Sequence, residues 1–488
     1  MSAPCKTVVT EAVLWLCEGL AAVVLAGCTV GPKYVPPDTS LSPTWQSEPR
    51  DGLIAEEMDP KTLAAWWTTL DDQQLSSLIE RAVMGNLDLK TARSRIRESR
   101  ARRSIAQGAL FPTLNAAGSA TSSRTDTNVG PDTSSEVYSS SFDASWELDV
   151  FGGVRRSVEA AQADLGASEE DLRDVLVSLL AETALNYVEV RTFQTRLAAA
   201  QASLATQNET YELTVWRSQA GLGDELAVHQ ARYNLENTRS QIPTLRTGLQ
   251  EAMNRLAVLL GEPPGSLHGE LEKPQAIPVP PVEVAVGVPA DMVRRRPDVR
   301  RAERELAAQT ARVGVATANL YPQLTLNGSI GLETLSLRDS SAARTQTISG
   351  GPRISWAIFD PTVRPNIEVQ SALQEQALIR YEAAVLGSLE DVENAIVAYA
   401  QEQQRRDNLR EATAAAEAAA ELARFKYQAG LTDFSNVLDA ERSLLSFQDQ
   451  LHQSDGTVTS NLIRLYKALG GGWTSLAAAP EPKAVERF

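Results

Sequence analysis

Two stretches of this chain, about two hundred residues apart, carry the same landmarks in the same order. Ala-Leu-Phe-Pro-Thr-Leu at 109–114 returns as Asn-Leu-Tyr-Pro-Gln-Leu at 319–324, and Ser145-Trp146 returns as Ser355-Trp356, each 210 residues on. Gln219-Ala220-Gly221-Leu222 returns as Gln428-Ala429-Gly430-Leu431, now 209 residues on, as does Arg255-Leu256 with Leu260-Gly261 in Arg464-Leu465 with Leu469-Gly470. Self-similarity at a fixed offset means that one supersecondary unit is used twice. We place repeat one at 72–261 and repeat two at 290–470. Between them, 262–289 holds Pro263, Pro264, Pro274, Pro278, Pro280, Pro281 and Pro289. Proline has no backbone donor, so this density stops helices and excludes central strands. The segment reads as an extended linker.

Within each repeat the hydrophobic period names the elements. Val228, Leu235, Ile242, Leu249 and Leu256 fall seven apart, followed three residues behind by Ala231, Thr238, Leu245, Ala252 and Leu259. Val437, Leu444, Leu451, Val458 and Leu465 keep the same beat in repeat two. A strict heptad implies helices that supercoil left-handedly against neighbours. Pro243 should kink its helix locally. The segment from about 154 to 220 has no proline, and at 1.5 Å per residue its length is roughly 100 Å; a counterpart runs from about 363 to 429. Shorter helices are expected over about 72–109 and 224–261. Gly221-Leu222-Gly223-Asp224 and Gly430-Leu431-Thr432-Asp433 read as tight αα-hairpins, with glycine closing one helix and Asp or Thr capping the next.

Around each Pro-aromatic block the period drops to two. Leu324, Leu326, Gly328, Ile330 and Leu332 alternate with Thr325, Asn327, Ser329 and Gly331. Tyr138, Phe142, Ala144, Trp146 and Leu148 alternate with Ser139, Ser141, Asp143, Ser145 and Glu147. Segments 112–121 and 347–358 follow more loosely. Strands with one apolar and one polar face suit a barrel wall between lipid and a wet lumen; a soluble hairpin with one buried face is the alternative, and strand length and number favour the barrel. Four strands cannot close a barrel, and open edges in lipid leave backbone groups unpaired, so a barrel requires several chains to pool strands.

The N-terminus adds an address. Residues 12–27 are mostly apolar and end in Leu25-Ala26-Gly27-Cys28, a match to the bacterial lipobox. The run is short for a membrane-spanning helix. Lys6 is the only positive charge before it, Glu11 stands at its start and Glu18 interrupts it, as a misassigned start codon would explain. Cleavage before Cys28 would leave that residue as the lipid attachment point, and several acyl chains anchor a protein stably. Thr29, rather than Asp, favours delivery to the outer membrane. With Cys5 and Cys17 removed, no disulfide framework, cysteine metal site or cysteine nucleophile remains.

Net charge is −16, and loss of Lys6, Glu11 and Glu18 leaves about −15, which argues against nucleic acid as a partner. No active site emerges, so an enzyme is not expected. His229, His268 and His452 show no metal spacing, and His229 and His452 fall on positions expected to be solvated. Neither a phosphate loop nor a dinucleotide fingerprint occurs, and no cofactor is expected.

Certain motifs are more specific. They are Cys28-Thr29-Val30-Gly31-Pro32-Lys33-Tyr34, Trp66-Trp67, Val288-Pro289 with Arg296-Pro297-Asp298-Val299, and Tyr427–Asp433 with Leu438-Asp439-Ala440-Glu441-Arg442. Through them the chain resembles the NodT-type outer membrane lipoproteins, the outer membrane factors of resistance-nodulation-division efflux systems. That resemblance implies a mainly α fold, with helical rods forming a trimeric periplasmic α-barrel and four strands per chain entering a twelve-stranded transmembrane β-barrel. It further implies a passive, gated exit duct for drugs or other small toxic compounds. The implied partners are two further copies of the chain, a periplasmic adaptor (membrane fusion) protein, a proton-driven inner-membrane pump reached through the adaptor, and outer-membrane lipid. Asp439 and Arg442 match the periplasmic gate. Gln219, Ala220, Gly221 and Leu222, with Gln428, Ala429, Gly430 and Leu431, match the tips that receive the adaptor. Residues 28–71, 262–289 and the tail 471–488 would form an equatorial belt. Repeat two departs from the family in reading Phe359-Asp360-Pro361 where glycines follow Phe-Asp, so a stiffer turn is expected there. Two rival readings are a type I secretion duct and a non-conducting, lipid-anchored coiled-coil scaffold.

Overall fold

The computed structural model describes residues 29–38, 42, 44–56, 59–125, 133–335 and 344–473. The signal 1–27, the attachment residue Cys28 and the tail from 474 lie outside the described residues. The first half contains β1 (Leu53–Ile54), α1 (Pro60–Ala64), a 3₁₀ turn (Trp66–Leu70), α2 (Gln73–Gly85), α3 (Leu87–Gly108), β2 (Thr113–Thr125), β3 (Thr133–Leu148), α4 (Gly153–Gln219) and α5 (Glu225–Leu259). The second contains α6 (His268–Leu271), β4 (Val284–Ala285), α7 (Pro289–Arg295), α8 (Pro297–Ala318), β5 (Gln323–Thr334), β6 (Arg344–Ser355), α9 (Val363–Gln428) and α10 (Phe434–Ala468). The protein is mainly helical. Corresponding elements have matched lengths: α3 and α8 have 22 residues each, α4 and α9 have 67 and 66, and α5 and α10 have 35 each.

Two expectations need correction. The helix expected over 72–109 is broken at Asn86. The Asn86 side chain is buried, accepts from the Leu89 amide and donates to the Leu259 carbonyl, each at 2.9 Å. It therefore starts a new helix as an N-cap while satisfying the end of α5. Repeat two places Arg296 at the same break, where its guanidinium donates to the Ala468 carbonyl at 3.0 Å. The linker 262–289 is not wholly extended either. Its stretches without proline form α6 and β4, and β4 pairs in parallel with β1 (Leu53↔Val284, Ile54↔Ala285).

The described residues fall into two compact units, each drawing on both halves of the chain. The first holds 29–38, 95–125, 133–169, 301–335 and 344–382. Its centre is an antiparallel sheet in the order β2-β3-β5-β6. The register aligns Ala116, Phe142, Ile330 and Ile348 in one row, and Trp146, Leu326 and Pro352 in another. All even-numbered positions share one face, which is apolar through its middle rows and carries Arg124, Glu136 and Arg344 toward the hairpin ends. The odd-numbered face carries Ser139, Ser141, Asp143, Ser145, Asn327, Ser329 and Arg353. Phe142, Ile330, Ile348 and Ile354 are more than half exposed on the apolar face. Below the sheet, the Trp146 indole donates to the Leu110 carbonyl at 2.9 Å, and Trp356 to Leu320 at 3.1 Å.

The second unit holds 42, 44–56, 59–94, 170–300 and 383–473. Its core joins Leu75, Leu78, Ile79, Leu180, Tyr187, Leu256, Leu462 and Leu465. Trp66 is 1% exposed and stacks on Tyr466 with ring centroids 5.4 Å apart. Gly471 lies against Trp66 and Leu63, where a Cβ would stand 2.8 Å from Leu63 Cδ1. Residues from the N-terminal segment, the linker and the chain beyond α10 thus meet in one core.

Candidate functional site at the helical hairpins

The two hairpins close in the same way. At the first, the Leu222 amide donates to the Arg217 carbonyl at 2.8 Å with Gly221 at φ +73°. At the second, the Leu431 amide donates to the Lys426 carbonyl at 2.8 Å with Gly430 at φ +75°. A positive φ followed by this long-range closure is the glycine-terminated helix end expected from sequence. The caps differ. Asp224 accepts from the Leu226 amide at 3.1 Å, whereas Asp433 makes no side-chain cap bond, contrary to expectation. Beside it, the Asn436 side chain instead bonds the Thr432 hydroxyl at 2.8 Å. Of the expected tip residues, Leu222 and Leu431 are 69% and 73% exposed, joined by exposed Trp216 and Phe425.

One residue that sequence reasoning missed ties the hairpins together. The Arg217 guanidinium lies 4.8 Å from the Tyr427 ring centroid and donates to the Tyr427 and Gln428 carbonyls at 3.2 and 3.3 Å. Cationic donors suit the carbonyl end of a helix, where the dipole is negative. Its position in the last turn of α4, matched by Lys426 at the same offset in α9, was the available signal. Tyr427 also meets Phe434 edge-on, in an apolar cluster with Ala231, Val437 and Leu438.

Above this cluster α10 carries the expected gate residues. Arg442 donates to Asn234 Oδ1 at 3.2 Å and lies 4.9 Å from the Tyr233 ring centroid, so it is fastened to α5. Asp439 is exposed and has no ion pair among the described residues. The structure does not bring the two together. Between them in sequence, Glu441 is 6% exposed, which period reading did not single out. Its Oε1 lies 3.0 Å from the Thr210 hydroxyl, which lies 3.0 Å from the Thr206 carbonyl. One hydroxyl proton cannot serve both acceptors, whereas a protonated Glu441 satisfies all three groups. Burial pushes the Glu441 carboxyl upward, against the Thr210 bond and the Arg424 charge.

The histidines lie apart. His229 is exposed on α5, and His268 faces Gly265 and Gln250. His452 is only partly exposed, not solvated as expected, and burial lowers its pKa while Asp455 and Asp449 raise it.

The sequence profile of the outer membrane efflux protein family matches residues 78–262 and 288–471. The chain belongs to that family. It is 32% identical to nodulation protein T of Rhizobium leguminosarum bv. trifolii, over 94% of this chain and 97% of the relative. The efflux protein also superposes on the solved outer-membrane channel OprN with a TM-score of 0.84, at 36% identity, over 91% of this chain and all of OprN. An open-state structure of the Neisseria gonorrhoeae outer membrane channel MtrE gives a TM-score of 0.78 at 29% identity, over 91% of this chain and 99% of MtrE. This protein is therefore an outer membrane factor of efflux systems, and its place is the outer membrane.

Proposed function

We propose that this efflux protein is the passive, gated exit duct of a tripartite pump, and that it carries drugs or other small toxic compounds out of the cell. The observation that carries the reading is the four-stranded sheet, which has one face with an apolar, largely exposed middle and, among the described residues, two unpaired edges. In lipid every backbone group must be satisfied, so such a sheet is stable only when other copies complete it. Three copies of four strands make a twelve-stranded barrel, and 67-residue helices of roughly 100 Å supply the periplasmic wall. A chain built from a duplicated unit, 72–261 and 290–470, gives each copy two such rods. Acyl chains on Cys28 anchor it to outer-membrane lipid.

The exposed tips at 219–222 and 428–431 receive a periplasmic adaptor, which links the duct to a proton-driven inner-membrane pump. Asp439 and Arg442 restrain the closed state at this end. Arg442 is already held by Asn234 and Tyr233, so opening must break or carry along that contact. Single-channel conductance in planar bilayers tests the gate. The double variant Asp439→Ala, Arg442→Ala should conduct more than the native protein, and unchanged conductance would remove both residues from the gate.

A further inference from the structure

In the second unit a cleft of about 670 Å³ opens between α4 and α9, floored by the last turns of α10. α10 sends Val458, Leu462, Leu465 and Tyr466 into the core, and its opposite side presents Arg464 and Lys467 to the cleft. Val177 and Leu185 of α4 and Ala395 and Ala398 of α9 give it aliphatic walls. Apolar walls with a few convergent polar groups, at this size, are the usual form of a small-molecule site.

Several charges in the cleft are not used by the fold. Lys467 is half-buried, and its ammonium has no ion pair or hydrogen bond among the described residues. The Arg464 guanidinium bonds only the Asn461 side chain, at 2.8 Å. On the α9 wall, Asp391 accepts from Arg296 through Oδ2 at 2.9 Å, and its Oδ1 is free among the described residues. Glu182, exposed on α4, has no ion pair there either. Repeat one shows that the helix end folds without these charges. Its counterparts, 209 residues earlier, are Arg255, paired with Glu189 at 2.6 Å, and Val258.

We propose that this cleft binds small amphoteric compounds, with their carboxylate on Lys467 and Arg464 and their ammonium on Asp391. A simple anion entering it meets the Asp391 and Glu182 carboxylates, and a simple cation meets Lys467 and Arg464. Each gains one attraction and suffers one repulsion. A molecule carrying both charges gains two attractions, and the aliphatic walls take its apolar body. That such compounds are cargo rests on the duct reading above, in which the side of α10 turned away from the core lines the passage.

The test is calorimetry on the full-length lipoprotein in lipid nanodiscs, with para-aminomethylbenzoate, benzoate and benzylamine as probes. Para-aminomethylbenzoate should bind about tenfold tighter than either singly charged probe. Lys467→Met should weaken it about tenfold without weakening benzylamine. Asp391→Asn should weaken it without weakening benzoate, a crossed pattern that misfolding does not produce. Added to conducting channels, para-aminomethylbenzoate should lower the single-channel conductance of the native protein and not that of Lys467→Met. Equal binding of the three probes, no binding, or loss of all three in either variant overturns the site, while steady conductance leaves the duct standing. The crossed pattern without any block of conducting channels overturns the cargo role. The crossed pattern in protein that never conducts keeps the site and overturns the duct.

Discussion

Gly31 lies against Gly314 so closely that a Cβ on Gly31 would stand 2.5 Å from the Gly314 Cα. Around this contact the start of the described chain is strapped to the first unit. The Val30 amide donates to the Phe151 carbonyl at 3.1 Å, and buried Arg156 donates to the Val30 and Gly31 carbonyls at 3.2 and 3.3 Å. Gly31 also sits at φ +86°, a conformation that side chains resist. The segment after Cys28 is thus docked at the turn from β3 to α4.

Gly31→Val should free this strap, through both the clash and the backbone strain, at a cost of about 1–3 kcal/mol. Arg156→Ala should do the same by removing the two carbonyl contacts. Hydrogen exchange checks both, since the Val30 amide should exchange slowly in the native protein and rapidly in each variant. Slow exchange in both variants would mean that the strap is not what holds this segment.

The breaks at Asn86 and Arg296 use different chemistry in equivalent places. Asn86→Ala loses a neutral cap, at a cost of roughly 1–2 kcal/mol. Arg296→Ala should cost more, about 3–5 kcal/mol, because it leaves the half-buried Asp298 carboxylate without its partner. Urea unfolding midpoints of the two variants should fall in that order.

Glu441 makes stability depend on pH. Its carboxyl is raised in the folded protein, so the native state binds that proton more tightly than the unfolded chain does. The favourable contribution is complete below the ordinary value of 4.5 and is lost as pH rises through the folded value. Glu441→Gln keeps the bond to Thr210 without an ionisable group. Melting curves should place the variant above the native protein at neutral pH and level with it in acid.

The two faces of the sheet should respond differently to charge. Ile330→Lys puts an ammonium on the apolar face, at a cost of about 2–4 kcal/mol if that face meets lipid. Ser329→Lys, one residue away on the polar face, should be tolerated. Heat-resistant oligomer recovered from outer membranes compares them.

How much of this was legible depended on period and offset. Seven-residue spacing located α5 and α10 because Leu256, Val458 and Leu465 are fully buried, and two-residue spacing located β3 and β5. The helix break at Asn86 was not legible, because a polar residue within an amphipathic pattern reads as solvent-facing until the α5 carbonyl it binds is known. Glu441 and Arg217 were missed for the same reason: each is defined by a partner on a distant helix. Asp439 and Arg442 stood out only through family likeness, and they have different environments in the structure.

A closed conduit and an inert scaffold share the same helices, and they differ in one property. Purified protein reconstituted in planar bilayers should produce discrete, uniform conductance steps. A membrane that stays silent while holding intact oligomer would contradict the duct and leave only the scaffold.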